Sequence, residues 1–297
     1  MLTEEQIQDH IKAGKIAAEA LQYGKDLIKP GAKVIDILDK VEEKISKLGG
    51  KLAFPTQISL NEFAAHSCSD SVDETVLQDQ VVKLDVGVHI NGRIADNALT
   101  VDLSGKYSDL VKASREALNN ALKIIKPGVK LSEIGKVVNE TIESYGFKPV
   151  KNLSGHGLGH YDIHVKPSVP NFDNKSDVEL KEGDVIAIEP FASTGAGMIK
   201  ETGSATVFTL ISSPVLRDPI SRKVVEEIKT YKGLPFAKRW LEREFGTQKT
   251  NFALRRLQMG GNLIVHKPLS DIENGIVSQA EHSVIVQEKP IVFTKLD

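Results

Sequence analysis

Lys29-Pro30-Gly31-Ala32-Lys33 comes back 97 positions later as Lys126-Pro127-Gly128-Val129-Lys130, and its surroundings return with it. Ala20-Leu21 corresponds to Ala117-Leu118, and Val41, Glu43, Ile45 and Gly49 correspond to Val138, Glu140, Ile142 and Gly146. Ile7, Ile11, Ile16, Ala17, Ala20 and Leu21 lie at helical spacing and predict a helix over 4–23. Lys29-Pro30-Gly31 stops it. Val34, Ile37, Leu38, Val41 and Ile45 predict a second helix over about 33–48, ended by Gly49-Gly50. Two copies are too few for a solenoid. The repeat therefore predicts an α+β fold with two halves related by a pseudo-two-fold axis.

Strand-like runs join the helices. Val81-Val82-Lys83-Leu84-Asp85 and Val185-Ile186-Ala187-Ile188-Glu189 each follow a polar turn and are rich in Val and Ile. Each is read as a short strand with a carboxylate at its C-terminal end. Asn91-Gly92 is a hairpin signal, and it puts Asp96 on a strand beside Asp85. Residues 98–103, 204–210, 275–281, 283–286 and 290–294 also read as strands. From about 212 to 268 the texture changes, with the only tryptophan, Trp240, and twelve Lys or Arg against five Asp or Glu. This basic stretch predicts helices over 221–232, 235–245 and 252–259.

The chain has 297 residues, 40 % apolar and 26 % charged, with a formal net charge of −2. Such a balance gives no case for specific DNA or an anionic membrane as partner. One cysteine, Cys68, excludes an intrachain disulfide and a four-cysteine zinc site. Any metal must be held mainly by His, Asp and Glu. The first residues lack a signal-peptide pattern, and no run is long enough to cross a bilayer. A cytoplasmic protein is the expectation.

Candidate chemistry centres on residues 154–165, S-G-H-G-L-G-H-Y-D-I-H-V, where His156, His160 and His164 are spaced by four. Histidine is the commonest metal ligand and the readiest proton carrier near neutral pH. Asp85, Asp96, Glu189 and Glu281 follow or end apolar runs, and no lysine or arginine directly adjoins them. Buried charges need a counter-charge, which a pair of divalent cations supplies. One imidazole and four carboxylates suit Mn²⁺, Fe²⁺, Co²⁺ or Zn²⁺. Two such ions about 3.5–4 Å apart share a water, lower its pKa and polarise a carbonyl. That chemistry is hydrolysis.

The set of motifs resembles the methionine aminopeptidases, type 2 subclass, in a short archaeal-like form. The matching segments are 52–56 (Leu-Ala-Phe-Pro-Thr), 59–61 (Ser-Leu-Asn), 64–66 (Ala-Ala-His), 83–87 (Lys-Leu-Asp-Val-Gly), Ala95-Asp96, 155–157 (Gly-His-Gly) running to Ile163-His164, 187–191 (Ala-Ile-Glu-Pro-Phe), 268–271 (Pro-Leu-Ser-Asp) and 279–282 (Gln-Ala-Glu-His). The resemblance implies a pita-bread catalytic domain over 1–207 and 267–297. A basic helical, winged-helix-like insertion would occupy 208–266. It implies Asp85, Asp96, His156, Glu189 and Glu281 as ligands of two divalent ions, with Asp96 and Glu281 bridging. It gives His66, His164 and Glu189 catalytic roles, and places Phe54, Ile163, His266 and Leu269 with His66 and His164 around the substrate. His266 stands where eukaryotic members have tyrosine. The implied reaction is removal of initiator methionine from nascent polypeptides by a metal-bridging hydroxide, with a small second residue favoured. A monomer and a contact between the basic insertion and ribosomal RNA are further expectations. Prolidase or aminopeptidase P is a same-fold alternative, and a nucleic-acid- or ribosome-binding protein a non-enzymatic one. Thr194-Gly195-Ala196-Gly197 resembles a fragment of a phosphate loop, without a clear helix after it.

Overall fold

The computed structural model describes residues 2–212 and 216–296. Residues 1, 213–215 and 297 of the expected domain ranges lie outside them. The first half runs α1 (Glu4–Leu27), α2 (Val34–Lys47), β1 (Lys51–Leu52), β2 (Gln57–Leu60), β3 (Phe63–Ala65), β4 (Val81–Ile90) and β5 (Arg93–Asp102). The second runs α3 (Ser108–Leu122), α4 (Leu131–Ser144), β6 (Lys148–Pro149), β7 (Ser154–Gly157), β8 (Val165–Pro170), β9 (Val185–Ile188), β10 (Phe191–Ser193) and β11 (Ile199–Glu201). Then come β12 (Val207–Leu210), α5 (Pro219–Thr230), β13 (Phe236–Ala237), α6 (Lys238–Phe245), α7 (Thr247–Met259) and β14 (Leu263–His266). The chain ends with β15 (Leu269–Asp271), β16 (Val277–Gln279), β17 (His282–Ile285) and β18 (Ile291–Val292).

The repeat is structural as well as sequential. Gly31 and Gly128 turn the chain at φ 87° and 84°, values that favour glycine. Their N–H groups donate to the carbonyls of Leu77 and Leu180, at 2.7 and 2.8 Å. Val34 and Leu131, each opening a second helix, donate to Thr75 and Val178 in the same way. Each half thus ties its helix pair to the segment that leads into its ligand-bearing strand. This is the pita-bread arrangement.

Two cores follow. Leu38, Val41 and Ile45 of α2 pack with Leu84, Val86 and Val88 of β4. Leu118, Ile134 and Val138 of α3 and α4 pack with Ile186, Ile188 and Val284. The strand containing Asp85 is longer than the sequence reading had it. It runs ten residues and pairs along its whole length with β5. The alternation carries through Val86, Val88 and Ile90, so the carboxylate lies in mid-strand. Asn91 (φ 50°) and Gly92 (φ 81°) form the expected two-residue turn. In the second half the order is β18-β17-β9-β7-β8. Here Glu189 does follow the strand's last residue.

A third core, with Phe208, Phe236, Leu241 and Leu257, joins α5–α7 to the β13-β12-β14 sheet. Three helices appear as the sequence reading has them, with α5 shifted two residues earlier at both ends, α6 starting at Lys238 and α7 already at Thr247. This helical lobe is tied to the first half by charge. Arg239 is fully buried and donates to Glu42 of α2 and to Cys68 Sγ (2.6 Å). Trp240 Nε1 donates to the other Glu42 oxygen at 2.9 Å. Arg243 pairs with both oxygens of Asp39 at 2.8 and 2.7 Å. Burial pushes the Glu42 carboxyl up despite Arg239 beside it. A buried pair broken on one side leaves a stranded charge. Arg239→Ala is therefore expected to lower stability by about 3–5 kcal/mol, measured by urea unfolding. Arg239→Ala/Glu42→Gln should recover part of that loss. A single-variant loss below about 1 kcal/mol, the range of exposed pairs, would show that the contact is not a buried ion pair.

Candidate metal centre and active site

Asp85 and Asp96 face the same side of the β4–β5 hairpin. Asp96 stands opposite Gly87, and Asp85 opposite Ala98, two residues along, so the acids form a diagonal pair. Gly87 has a specific reason to be glycine: a Cβ there would lie 2.1 Å from the Phe54 ring. Its absence lets Phe54 reach the site. His156 comes from β7, between β9 and β8 in the five-stranded sheet. Glu189 follows β9, and Glu281 sits between β16 and β17. The C-terminal segment is sewn to β5: Glu281 N–H donates to Ala98 O at 3.0 Å, and Asp96 N–H donates to Ser283 Oγ at 2.8 Å.

Together these side chains line a cavity of about 400 Å³. His156 Nε2 is 3.6 Å from Asp96 Oδ2 and 3.8 Å from Glu189 Oε1. Both are too long for hydrogen bonds and short enough to share an ion with bonds of about 2.0–2.2 Å. Ligand atoms of Asp96, His156 and Glu281 all lie within 4.8 Å of one another. Burial holds the His156 ring neutral, down to about 3, which leaves a lone pair to donate. Asp85 Oδ1, Asp96 Oδ1 and Glu281 Oε1 are buried with no hydrogen-bond partner. No lysine or arginine pairs with any of the four carboxylates among the described residues. Burial therefore drives all four upward, Asp85 to about 7; mutual repulsion adds to this at Asp96, Glu189 and Glu281. A neutral imidazole beside four carboxylates, three of them with an orphaned oxygen, fits divalent cations of the hard-to-borderline class.

The expected substrate residues divide. His164 lines the cavity, with its ring centroid 4.4 Å from that of His156. His66 and His266 also line it and meet edge to face at 5.5 Å. Burial lowers both to about 4, so they are neutral near pH 7. His66 sits at φ 61°, a strained region found at functional sites. Phe54 and Ile163 form apolar wall. Leu269 is buried on β15 and paired with Ala65 of β3, which lines the cavity.

Several site residues were missed. Gln279 Nε2 is 3.4 Å from Glu189 and 3.3 Å from Glu281, donating to both. Its spacing of two from Glu281 was the available signal. Gln57, opposite Asp85 on β2, lines the cavity too. Lys83 is buried and donates to the carbonyls of Asn61 and Val277, both at 2.8 Å. It pins β4 to β16, and burial lowers its ammonium to about 7. His160 accepts the other task in its segment: its Nε2 contacts Asn91 O at 2.9 Å and fixes the β4–β5 turn. In the glycine-rich loop at 194–197, the N–H groups of Ala196 and Gly197 donate to the Asp271 carboxylate, an anion of the chain itself.

Residues 8–211 match metallopeptidase family M24. Over 287 residues the chain is 46 % identical to the methionine aminopeptidase of Thermococcus onnurineus, covering 96 % of this chain and 97 % of that one. Among solved structures, a thermophilic Arx1 has a TM-score of 0.87 at 18 % identity, over 100 % of this chain and 92 % of that one. The methionine aminopeptidase of Thermotoga maritima has a TM-score of 0.72 at 25 % identity, over 99 % and 98 %.

A carboxyl with a raised folded pKa binds more protons folded than unfolded. Its stabilising contribution is complete below the unfolded value near 4 and is lost as pH rises through the folded value, about 7 for Asp85. Cation-free protein should therefore lose thermal stability across that window. Mn²⁺ should restore it, by about 2.7 kcal/mol at a hundred times its Kd. Asp96→Asn should raise the cation-free Tm near pH 8 and abolish the Mn²⁺ response. A Tm indifferent to both pH and Mn²⁺ would rule out a cation site here.

Proposed function

As the chain belongs to metallopeptidase family M24 and, within it, to the methionine aminopeptidases, it is a metallo-exopeptidase, and we propose that it removes the N-terminal methionine of new polypeptides. One observation carries the proposal beyond family membership. Four carboxylates without a basic partner, Asp96 and Glu281 buried and Asp85 and Glu189 partly so, share a cavity with neutral His156, and three further imidazoles line the same space. Asp85, Asp96, His156, Glu189 and Glu281 would hold two divalent ions. These would supply a water of lowered pKa and positive charge toward the scissile carbonyl.

The chain's own groups do the rest. Glu189, facing the cavity beside His156, takes the proton of the attacking water and passes it to the leaving amide nitrogen. Neutral His164 donates a hydrogen bond to the carbonyl oxygen as negative charge develops there. His66 contacts the scissile amide. Phe54, Ile163 and His266 receive the methionine side chain, and the crowding beside them favours a small second residue. The substrate's free α-amine would sit at the acids and their ions, which would make the action that of an exopeptidase. The helical lobe, residues 208–266, is proposed as an insertion whose basic surface meets ribosomal RNA through its phosphates. The chain is proposed to act as a monomer. No helix among the described residues is long and apolar enough to cross a membrane.

The test is methionine release from a Met-Ala-Ser peptide with Mn²⁺ or Co²⁺. His164→Ala is expected to lose about 10²–10³ in kcat, the range for a lost oxyanion donor. His156→Ala should be lower still and should bind Mn²⁺ more weakly by calorimetry. Full activity in His156→Ala would overturn the assigned centre.

A further inference from the structure

The cavity has a direction. Of its lining, Asp96, His156 and Glu281 are buried, whereas Asn152, Lys166 and Ser168 are exposed. The β7–β8 pair contributes to both. His156 is in register with Ser168, and Ser154 Oγ meets Ser168 Oγ at 2.7 Å across the two strands. Lys166 stands two residues from Ser168 along β8. Among the exposed residues of the lining, Asn152, His164, Lys166 and Ser168, the one ammonium is that of Lys166. Lys166 makes no ion pair or side-chain hydrogen bond among the described residues, so its charge is available to a ligand.

β8 is also the edge of its sheet. Pro167 and Pro170 carry no N–H, and because they lie three residues apart on β8 one of the two faces the free edge. That missing donor weakens strand addition here and favours recognition by side chains. The pairing of β7 with β8 is irregular between His156 and Gly157, and Lys166 lies beyond that irregularity, exposed, whereas His156, Asp96 and Glu281 are buried. The ammonium therefore meets the chain where it leaves the cavity, past the residue held at the buried acids.

We propose that Lys166 selects an acidic side chain at the third or fourth residue of the substrate, where the peptide leaves the cavity over β7–β8. This rests on the aminopeptidase reading above. Acids in the buried end hold the free amine and the cations; the one cation at the mouth reads the downstream sequence.

The experiment compares kcat/KM for four C-terminally amidated peptides with Mn²⁺-loaded enzyme: Met-Ala-Glu-Gly, Met-Ala-Lys-Gly, Met-Ala-Gly-Glu and Met-Ala-Gly-Lys. The wild type should favour glutamate over lysine by about threefold at one of the two positions, the scale of an exposed ion pair. Lys166→Gln should bring that ratio to about one. Lys166→Glu should invert it, an overall change of about tenfold. Lys151→Glu, an exposed lysine outside the cavity lining, should keep the wild-type ratio. Added salt should shrink the preference. Equal ratios in wild type and Lys166→Glu, or an inversion by Lys151→Glu as well, would overturn the assignment of Lys166. If the wild type releases methionine from all four peptides without preference, this inference fails and the aminopeptidase reading stands. If it releases none from these or from Met-Ala-Ser, the aminopeptidase reading fails and this inference falls with it.

Discussion

Four carboxylates brought together out of water, with no basic side chain paired to them, are the constraint on which the structure depends. Taking one such charge out of water costs several kcal/mol, and like charges at close range add to this. A fold that tolerates the cluster must hold it rigidly from several directions, because any slack would let the acids drift apart into solvent. The two ten-residue strands of the β4–β5 hairpin do this for Asp85 and Asp96. The β7–β9 pairing does it for His156 and Glu189. Lys83 and Gln279 then lock the two sets against each other without placing an ion pair in the cluster.

Much of this was legible in the sequence because it is written in local patterns. The repeated Lys-Pro-Gly breaks, the helix periodicity and the Asn-Gly turn each depend on neighbours a few residues apart. The five ligands could be gathered because acids next to apolar runs are unusual and because the motif set matched a known family. The position of Asp85 was misread for a physical reason. A charged residue usually ends a strand, but here the alternation of Val86, Val88 and Ile90 outweighs the acid, since the acid's face is the cavity.

The remainder was illegible because its partners lie far apart. Arg239 and Glu42 are 197 residues apart, and Lys83 and Val277 are 194. Nothing in either neighbourhood marks them as pairs. Arg239 in particular looked like one of many charges on a solvated helix face, yet it is fully buried. The positive charge of the helical lobe is thus partly spent on attachment to α2, and the count of basic residues overstates what its surface presents.

The stitching of the C-terminal segment to the hairpin bears on assembly. Ser283 Oγ both accepts from Asp96 N–H and donates to Asp96 O, and Glu281 arrives beside Asp96 only when 281–285 docks against β5 and β9. The cluster is complete only with the final strands in place, so its cost bears on the seam that joins the C-terminal segment to both halves of the fold. Divalent ions that neutralise the cluster would act as a clasp on that seam, and their loss would loosen it before either half of the molecule unravels.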